Sequence, residues 1–303
     1  MKSLIRKLLF GDHPIKQYLT VSLKEKEIIE KAYLVYGENR LEISKVQFAI
    51  CQDPYMMGIW LGEKTIEKGA EVHIEMERDN QLILKSKCIV NEMIGLTKGN
   101  LLIAELKRTT YQFINYFHQK GIIAFFYYRQ KHKVSFTELD HFCAMYSYPR
   151  SVILTCFGTE EDYNLFPMDL RGFIKEAGIY LLGLRNTNVT LKKMLAAKKV
   201  VVCGIAADQK ENIFALGAHH STQPPSLKDL PFDFISSEKF GFPVPTIIKD
   251  YKEIEIIESH NKGSHTLMIC KVVNEVVFEE DFPSLYHLHI ATAMKLGCDY
   301  EEL

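Results

Sequence analysis

Histidine is the side chain best suited to proton chemistry near neutral pH, and this chain of 303 residues has eleven. His260 and His265 straddle the turn Asn-Lys-Gly-Ser, and His265 opens the apolar run HTLMICKVV. A histidine so placed would either donate to a ligand or brace the turn, and the residues alone leave both open. His219 and His220 sit with Ser221 and Thr222 in a polar stretch able to hold a ligand or a metal ion. His287 and His289 flank Leu288. On a helix they would point roughly 200° apart, a poor metal pair, so they read as solvated or capping groups. The seven cysteines are scattered with no Cys-x-x-Cys pair, which signals neither a zinc site nor a disulfide framework. They read as buried, reduced thiols.

The motifs of common active sites are missing. No Gly-x-Gly-x-x-Gly or Walker-type loop cradles a phosphate, and no His-Glu-x-x-His, EF-hand or Gly-x-Ser-x-Gly pattern occurs. Charge is balanced, with 37 Lys and Arg against 38 Asp and Glu. Without a basic excess or stripe, small ligands and protein partners are expected, with no nucleic acid and no membrane. The apolar stretch from Leu8 to Phe10 is too short for a signal peptide, and no run of 18 apolar residues occurs. A cytoplasmic location is the expectation. The proportions of 47% hydrophobic and 25% charged residues are those of a globular chain, long enough for two domains.

Two segments of different texture must position these groups. Residues 22–36, SLKEKEIIEKAYLVY, have helical spacing, with Ser22 and Glu25 as a capping pair and Gly37 as a stop. LEISKVQFAI and YMMGIWLG read as strands, the latter carrying the single tryptophan, Trp60, as a core residue. EVHIEMERDNQLILKSKCIV reads as a hairpin turning at Asp79-Asn80. LLIAELKRTTYQFINYFHQK suggests a helix ended by Gly121, and IIAFFYYR a buried strand. The first domain is therefore expected to be α+β, over residues 1–142. In the second, over residues 143–303, SVILTCFG is a strand followed by a loop, TEEDYNLFPMD. GIYLLGLR and KVVVCGIA are further strands around a short helix, TLKKMLAA, and a long hairpin turns at Lys-Gly-Ser. A helix-like LYHLHIATAMKLG closes the chain. Five or six strands with only short helices suit a small antiparallel barrel.

From about Tyr148 to Val277 the chain resembles the flavin reductase-like family of FMN-binding split barrels. The carriers are YPRSVILTCFGTEEDYNLFPMD, GLRNTNVTLKKM and KGSHTLMICKVV, in that order and spacing. The fold class implied is α+β to mainly β, an N-terminal α+β domain followed by a split β-barrel. The resemblance implies FMN as cofactor, NAD(P)H as possible co-substrate, a homodimer, and flavin reduction or electron transfer as activity. Asn164, Leu165, Phe166, Pro167, Met168 and Asp169 would lie along the flavin ring. Thr190 and Lys192, with Lys193 nearby, would hold the phosphate, a group that helix starts, hydroxyls and cations bind well. Arg185, His220, Ser221 and Ser264 complete the implied cofactor site. His265 would stand where hydride donor and flavin meet, as the catalytic residue.

The chain departs from the family at three points. Asp169 stands where Ser or Thr is usual, Ser264 replaces the Asp of Gly-Asp-His, and Cys270 replaces a Gly. A carboxylate beside a phosphate is repulsive unless a cation neutralises it. The alternative reading is therefore a non-catalytic binding or interaction protein on a degenerate barrel. A third is a metal-dependent enzyme using His219, His220 and His265.

Overall fold

The computed structural model describes residues 2–129, 134–159, 162–217 and 226–303. The chain begins with α1 (Lys2–Phe10), β1 (Tyr18–Leu23), β2 (Lys31–Tyr36), β3 (Asn39–Glu42), β4 (Gln47–Gln52) and β5 (Tyr55–Trp60). Next come β6 (Glu71–Arg78), β7 (Gln81–Leu96), β8 (Gly99–Tyr111), α2 (Tyr116–Tyr127), α3 (Phe136–Met145) and β9 (Arg150–Ser151). The middle of the chain forms β10 (Ile153–Gly158), β11 (Tyr163–Met168), β12 (Arg171–Ile174), β13 (Ile179–Arg185), α4 (Leu191–Ala197), β14 (Lys199–Ile205) and α5 (Lys210–Leu216). It finishes with β15 (Phe234–Ser236), β16 (Pro243–Pro245), β17 (Ile248–Lys262), β18 (His265–Val277), β19 (Ser284–His289), α6 (Ile290–Leu296) and β20 (Glu301–Glu302). Two compact units result. Unit 1 comprises Met1–Val21, Ile28–Arg150 and His287–Glu302; unit 2 comprises Ser22–Glu27, Ser151–Tyr286 and Leu303.

Unit 1 is built on a seven-stranded sheet in the order β3-β2-β6-β7-β8-β5-β4. Strand β6 alternates Glu71, His73, Glu75 and Glu77 on one face with buried Val72, Ile74 and Met76 on the other. That period of two selects a strand with one dry face. The wet face carries cross-strand ion pairs: Lys85 reaches Glu75 at 3.0 Å, Arg40 reaches Glu75 at 3.4 Å, and Lys87 pairs with Glu71. The expected hairpin forms at Asp79-Asn80, with φ of 52° and 60°. Positive φ at both central residues is the twist that a two-residue β-hairpin needs.

Three expectations for this half are corrected. Residues 22–36 do not form one helix: the end of β1, a short 3-10 turn at Glu25–Glu27 and β2 occupy them. Tyr33, Leu34, Val35 and Tyr36 are strand formers, and β2 finds partners on both sides, in β3 and β6. LLIAELKRTTY is strand β8, held between β7 and β5, so pairing overrides the helix propensity of its Leu, Ala, Glu and Lys. IIAFFYYR lies largely in α2, whose N-cap is Asn115; the Asn115 side chain accepts from the His118 N–H at 2.8 Å. An apolar run without alternation fits a buried helix as well as a buried strand, and the cap decides.

Unit 2 contains a second seven-stranded antiparallel sheet, in the order β11-β10-β14-β17-β18-β13-β12. Leu154, Leu182, Val201, Ile254 and Met268 are among its fully buried side chains. Each such side chain contributes about 1.5–3 kcal/mol by leaving water. Register shifts at Gly204/Ile205, Glu253/Ile254 and Ile256/Glu258 bend β14 and β17. A Cβ at Gly204 would come within 2.3 Å of the Asp250 carboxylate, so a larger residue there would have to displace that side chain.

The sheet is curled, and a side-chain bond shows it. Strand β11 is first in the sheet and β13 sixth, a separation of about 24 Å if the sheet were flat. Yet Asn164 on β11 bonds Thr190, only five residues beyond the end of β13. Five residues reach at most about 18 Å, and turn bonds between Asn188 and Arg185 shorten the path further. The sheet must bend to bring its ends together. The protein is thus mainly β, with a half-barrel sheet and a few helices. Two local readings change in this half as well. TEEDYNLFPMD is not wholly loop, since β11 pairs with β10 from Tyr163 to Met168, and LYHLHIATAMKLG divides into β19 and α6.

Candidate functional site

Thr190 directly precedes α4, as the sequence suggests. Its hydroxyl does not cap that helix; it accepts the Asn164 Nδ2–H at 2.7 Å, while the Thr190 N–H donates to Asn188 Oδ1 at 2.8 Å. Asn164 Oδ1 accepts from the Leu165 N–H at 2.9 Å. Both Asn164 and Thr190 are buried, so this pair is a fixed polar point in an apolar wall. Around it lies a hollow of about 40 Å³, lined by Asn164, Thr190, Lys193, Asp162, Tyr163 and Phe157 among others. That is room for a group the size of a phosphate and too little for a flavin ring.

The charges at the hollow are Lys193 and Asp162, which form an ion pair. Lys192, the neighbouring candidate, is exposed and does not line the hollow. Tyr163 brings a buried hydroxyl with no hydrogen-bond partner among the described residues. Burial, with Asp229 nearby, pushes that hydroxyl above its ordinary pKa, so it stays a neutral donor. The Thr190 hydroxyl proton, the Lys193 ammonium group and the Tyr163 phenol are thus the donors at the hollow, and the Asp162 carboxylate stands against them.

The remaining candidates fall into a second group. Arg185 ends β13 directly opposite His265, which begins β18. His265 is buried, and its Nδ1 lies 2.8 Å from Ser264 Oγ. The turn is tied down by Asn186, whose Nδ2 donates to the Gly263 carbonyl at 2.8 Å and whose Oδ1 accepts from the Thr266 hydroxyl at 2.9 Å. Only the loop from Arg185 to Thr190 separates the two groups, which bounds them to about 18 Å of chain.

Leu165 and Phe166 bury their side chains in the core of unit 2, leaving the backbone of β11 as their only polar contribution. As an edge strand, β11 has alternate backbone N–H and C=O groups that strand pairing does not use. Pro167, Met168 and Asp169 are half-buried at its end, and the Asp169 carbonyl accepts from the Arg171 N–H at 3.0 Å. His220 and Ser221 lie outside the described residues, as does His219. Among the described residues no group of three or more His, Cys, Asp or Glu is placed to hold a metal ion. No helix among them is long and apolar enough to cross a membrane.

Sequence reasoning did not anticipate the roles of Asp162 and Asn188. Asp162 is far from Lys193 in the chain, and no local pattern announces their pairing. Asn188 leaves a faint signal, an Asn two residues before a helix-starting Thr, which is the spacing of an Asx turn.

No family model and no curated protein matches the chain. Solved structures similar to it include flavin reductases and FMN-binding proteins. An FMN-binding protein from Thermus thermophilus with bound p-hydroxybenzaldehyde is 21% identical, covering 44% of this chain and 74% of that one, with a TM-score of 0.39. An NADH:FAD oxidoreductase from Streptomyces globisporus is 15% identical over 49% of this chain and 87% of its own, with a TM-score of 0.42. A flavin reductase solved in its native state is 19% identical over 49% and 95%, with a TM-score of 0.40. Likeness at this level transfers no ligand and no residue role.

Proposed function

We propose that unit 2 is a flavin-binding oxidoreductase domain of the flavin reductase type, taking FMN as cofactor and NADH or NADPH as co-substrate. The observation that carries this reading is the convergence of Asn164, Thr190 and Lys193 on one phosphate-sized hollow at the place where the sheet curls. The order and spacing of the sequence motifs between Tyr148 and Val277 support it independently.

When bound, the flavin would supply two-electron chemistry, taking hydride from the nicotinamide. The chain's own work is binding and orientation. Lys193 and the Thr190 hydroxyl would hold the phosphate by charge-assisted hydrogen bonds, with Asn164 fixing the direction of that hydroxyl. For Lys193 to serve, its pair with Asp162 must open or be shared. Backbone groups on the free edge of β11 would meet the polar rim of the ring. His265, held by Ser264, would position the nicotinamide, and Arg185 stands beside it. A second copy of the chain would enclose the ring at a dimer interface.

The test is oxidation of NADH and NADPH by the purified protein, followed by nicotinamide absorbance with FMN and with FAD added. Flavin-dependent turnover is expected. Lys193→Ala should raise the KM for FMN about tenfold with little change in kcat. His265→Ala should lower kcat by about tenfold or more. Absence of turnover with either flavin and either nicotinamide contradicts the enzyme reading. One observation favours the alternative, a non-catalytic binding module: Asp162 already neutralises the cation at the hollow. On that reading Asp162→Asn would create flavin binding where the native chain has none.

A further inference from the structure

Unit 1 contains a cavity of about 340 Å³ bounded by the second half of β8, the first turns of α2, and α3. Its volume lies within the range of about 300–1,000 Å³ usual for small-molecule sites. Nothing in the flavin reading uses it. Gln119 lines it and is only 1% exposed, yet neither its Nε2 nor its Oε1 has a hydrogen-bond partner among the described residues. The amide approaches the Tyr111 hydroxyl without reaching hydrogen-bond geometry. Buried carboxamides without partners are costly, and a native chain keeps one where a ligand or water completes it.

The rest of the lining is committed differently. Tyr111 Oη donates to the Asp140 carbonyl at 2.9 Å and to Asp140 Oδ1 at 3.1 Å, and Lys120 donates to Asp140 Oδ2 at 2.7 Å. The carboxylate lining the cavity is therefore neutralised within the wall. Lys107 and Arg108, both exposed, also belong to the lining, and of the two only Arg108 makes no ion pair among the described residues. Lys107 pairs with Glu105, which is not part of the lining. The cavity thus presents positive charge together with an amide that offers a donor and an acceptor in one plane.

We propose that this cavity binds a small organic anion whose edge carries an N–H beside a C=O, a cyclic imide or lactam with an acidic substituent. The edge would pair with Gln119, donor to acceptor and acceptor to donor, and the acidic group would meet Arg108.

The experiment is isothermal titration of the full chain with orotate and with uridine 5′-monophosphate, which carry the edge with a carboxylate or a phosphate. Benzoate and inorganic phosphate supply the anion without the edge. The expected result is that orotate or the nucleotide binds about tenfold or more tightly than the matching anion control. Gln119→Leu should remove that advantage, and Arg108→Gln, at an exposed position, should weaken binding severalfold with an unchanged melting temperature. Thr190→Val, in unit 2, should leave it unaltered. The proposal is overturned if neither probe binds better than its control, which would make the cavity a water site. It is equally overturned if Arg108→Gln and a folded Gln119→Leu variant bind as the native chain does, or if Thr190→Val abolishes binding.

Discussion

The Asn164 amide and the Thr190 hydroxyl are both shielded from water, so each depends on the other for its hydrogen bond. Thr190→Val would leave the Asn164 donor buried and unpaired, at a cost of about 1–3 kcal/mol, whereas Thr190→Ser should keep the bond. Urea midpoints of the two variants measure this, and equal midpoints would mean that the pair does not hold the curl. His289 shows a different residue-scale effect. It is fully buried with both ring nitrogens unpartnered among the described residues, and burial depresses its pKa to about 3. The unfolded chain protonates this ring near pH 6.5 while the folded chain refuses the proton. Its contribution is complete above about pH 6.5 and is lost as pH falls toward 3. From pH 7 to pH 5 the loss amounts to about 2 kcal/mol. His289→Leu should show a correspondingly flatter pH dependence in chemical denaturation; an unchanged slope would contradict the assignment. The sequence placed Thr190, Lys193 and Asn164 near the flavin phosphate or ring only through family resemblance. It could not show that Asn164 and Thr190 bond each other, because that bond depends on the closure of a sheet. His289, expected as a solvated or capping group, does stand at the N-cap position of α6, but its ring makes no capping bond and lies buried.

At the scale of elements, what was legible follows from alternation and turn chemistry. Strand β6 alternates cleanly and β7 does so over Leu84–Val90, and the Asp79-Asn80 turn between them was readable because few other residue pairs adopt positive φ twice in succession. Asn80→Gly should therefore preserve or slightly raise the melting temperature. Asn80→Ala should cost about 1 kcal/mol, since alanine lacks the short polar side chain that lets asparagine tolerate positive φ. Equal melting temperatures for the two variants would rule out the turn type. Strand β8 and helix α2 depart from what their sequences suggest, each for its own reason. Leu, Ala, Glu and Lys favour a helix in isolation, but β8 is the middle of three paired strands, and the apolar run of α2 has no period of two or of 3.6 to betray it. The decisive signal was a single Asn115 cap. In unit 2, β11 lay hidden inside a polar stretch because Pro167 and Asp162 resemble loop chemistry, although an edge strand tolerates a proline.

For the whole molecule, the chain forms two units of comparable size. Unit 2 contains all but the first three residues of the Tyr148–Val277 stretch that carries the motifs, and unit 1 holds the larger of the two cavities described. A dimer built to enclose flavin should sediment at twice the chain mass, and its dissociation constant should fall when FMN is added. A monomer with bound FMN would overturn the shared-interface part of the account. Flavin binding is tested most directly by the visible absorbance spectrum of the purified protein, before and after FMN is added and the excess is removed by gel filtration. Oxidised-flavin bands should survive filtration at close to one flavin per chain and be lost in the Thr190→Val, Lys193→Ala double variant. A flat spectrum, with no retained FMN and no shift in melting temperature, would contradict it.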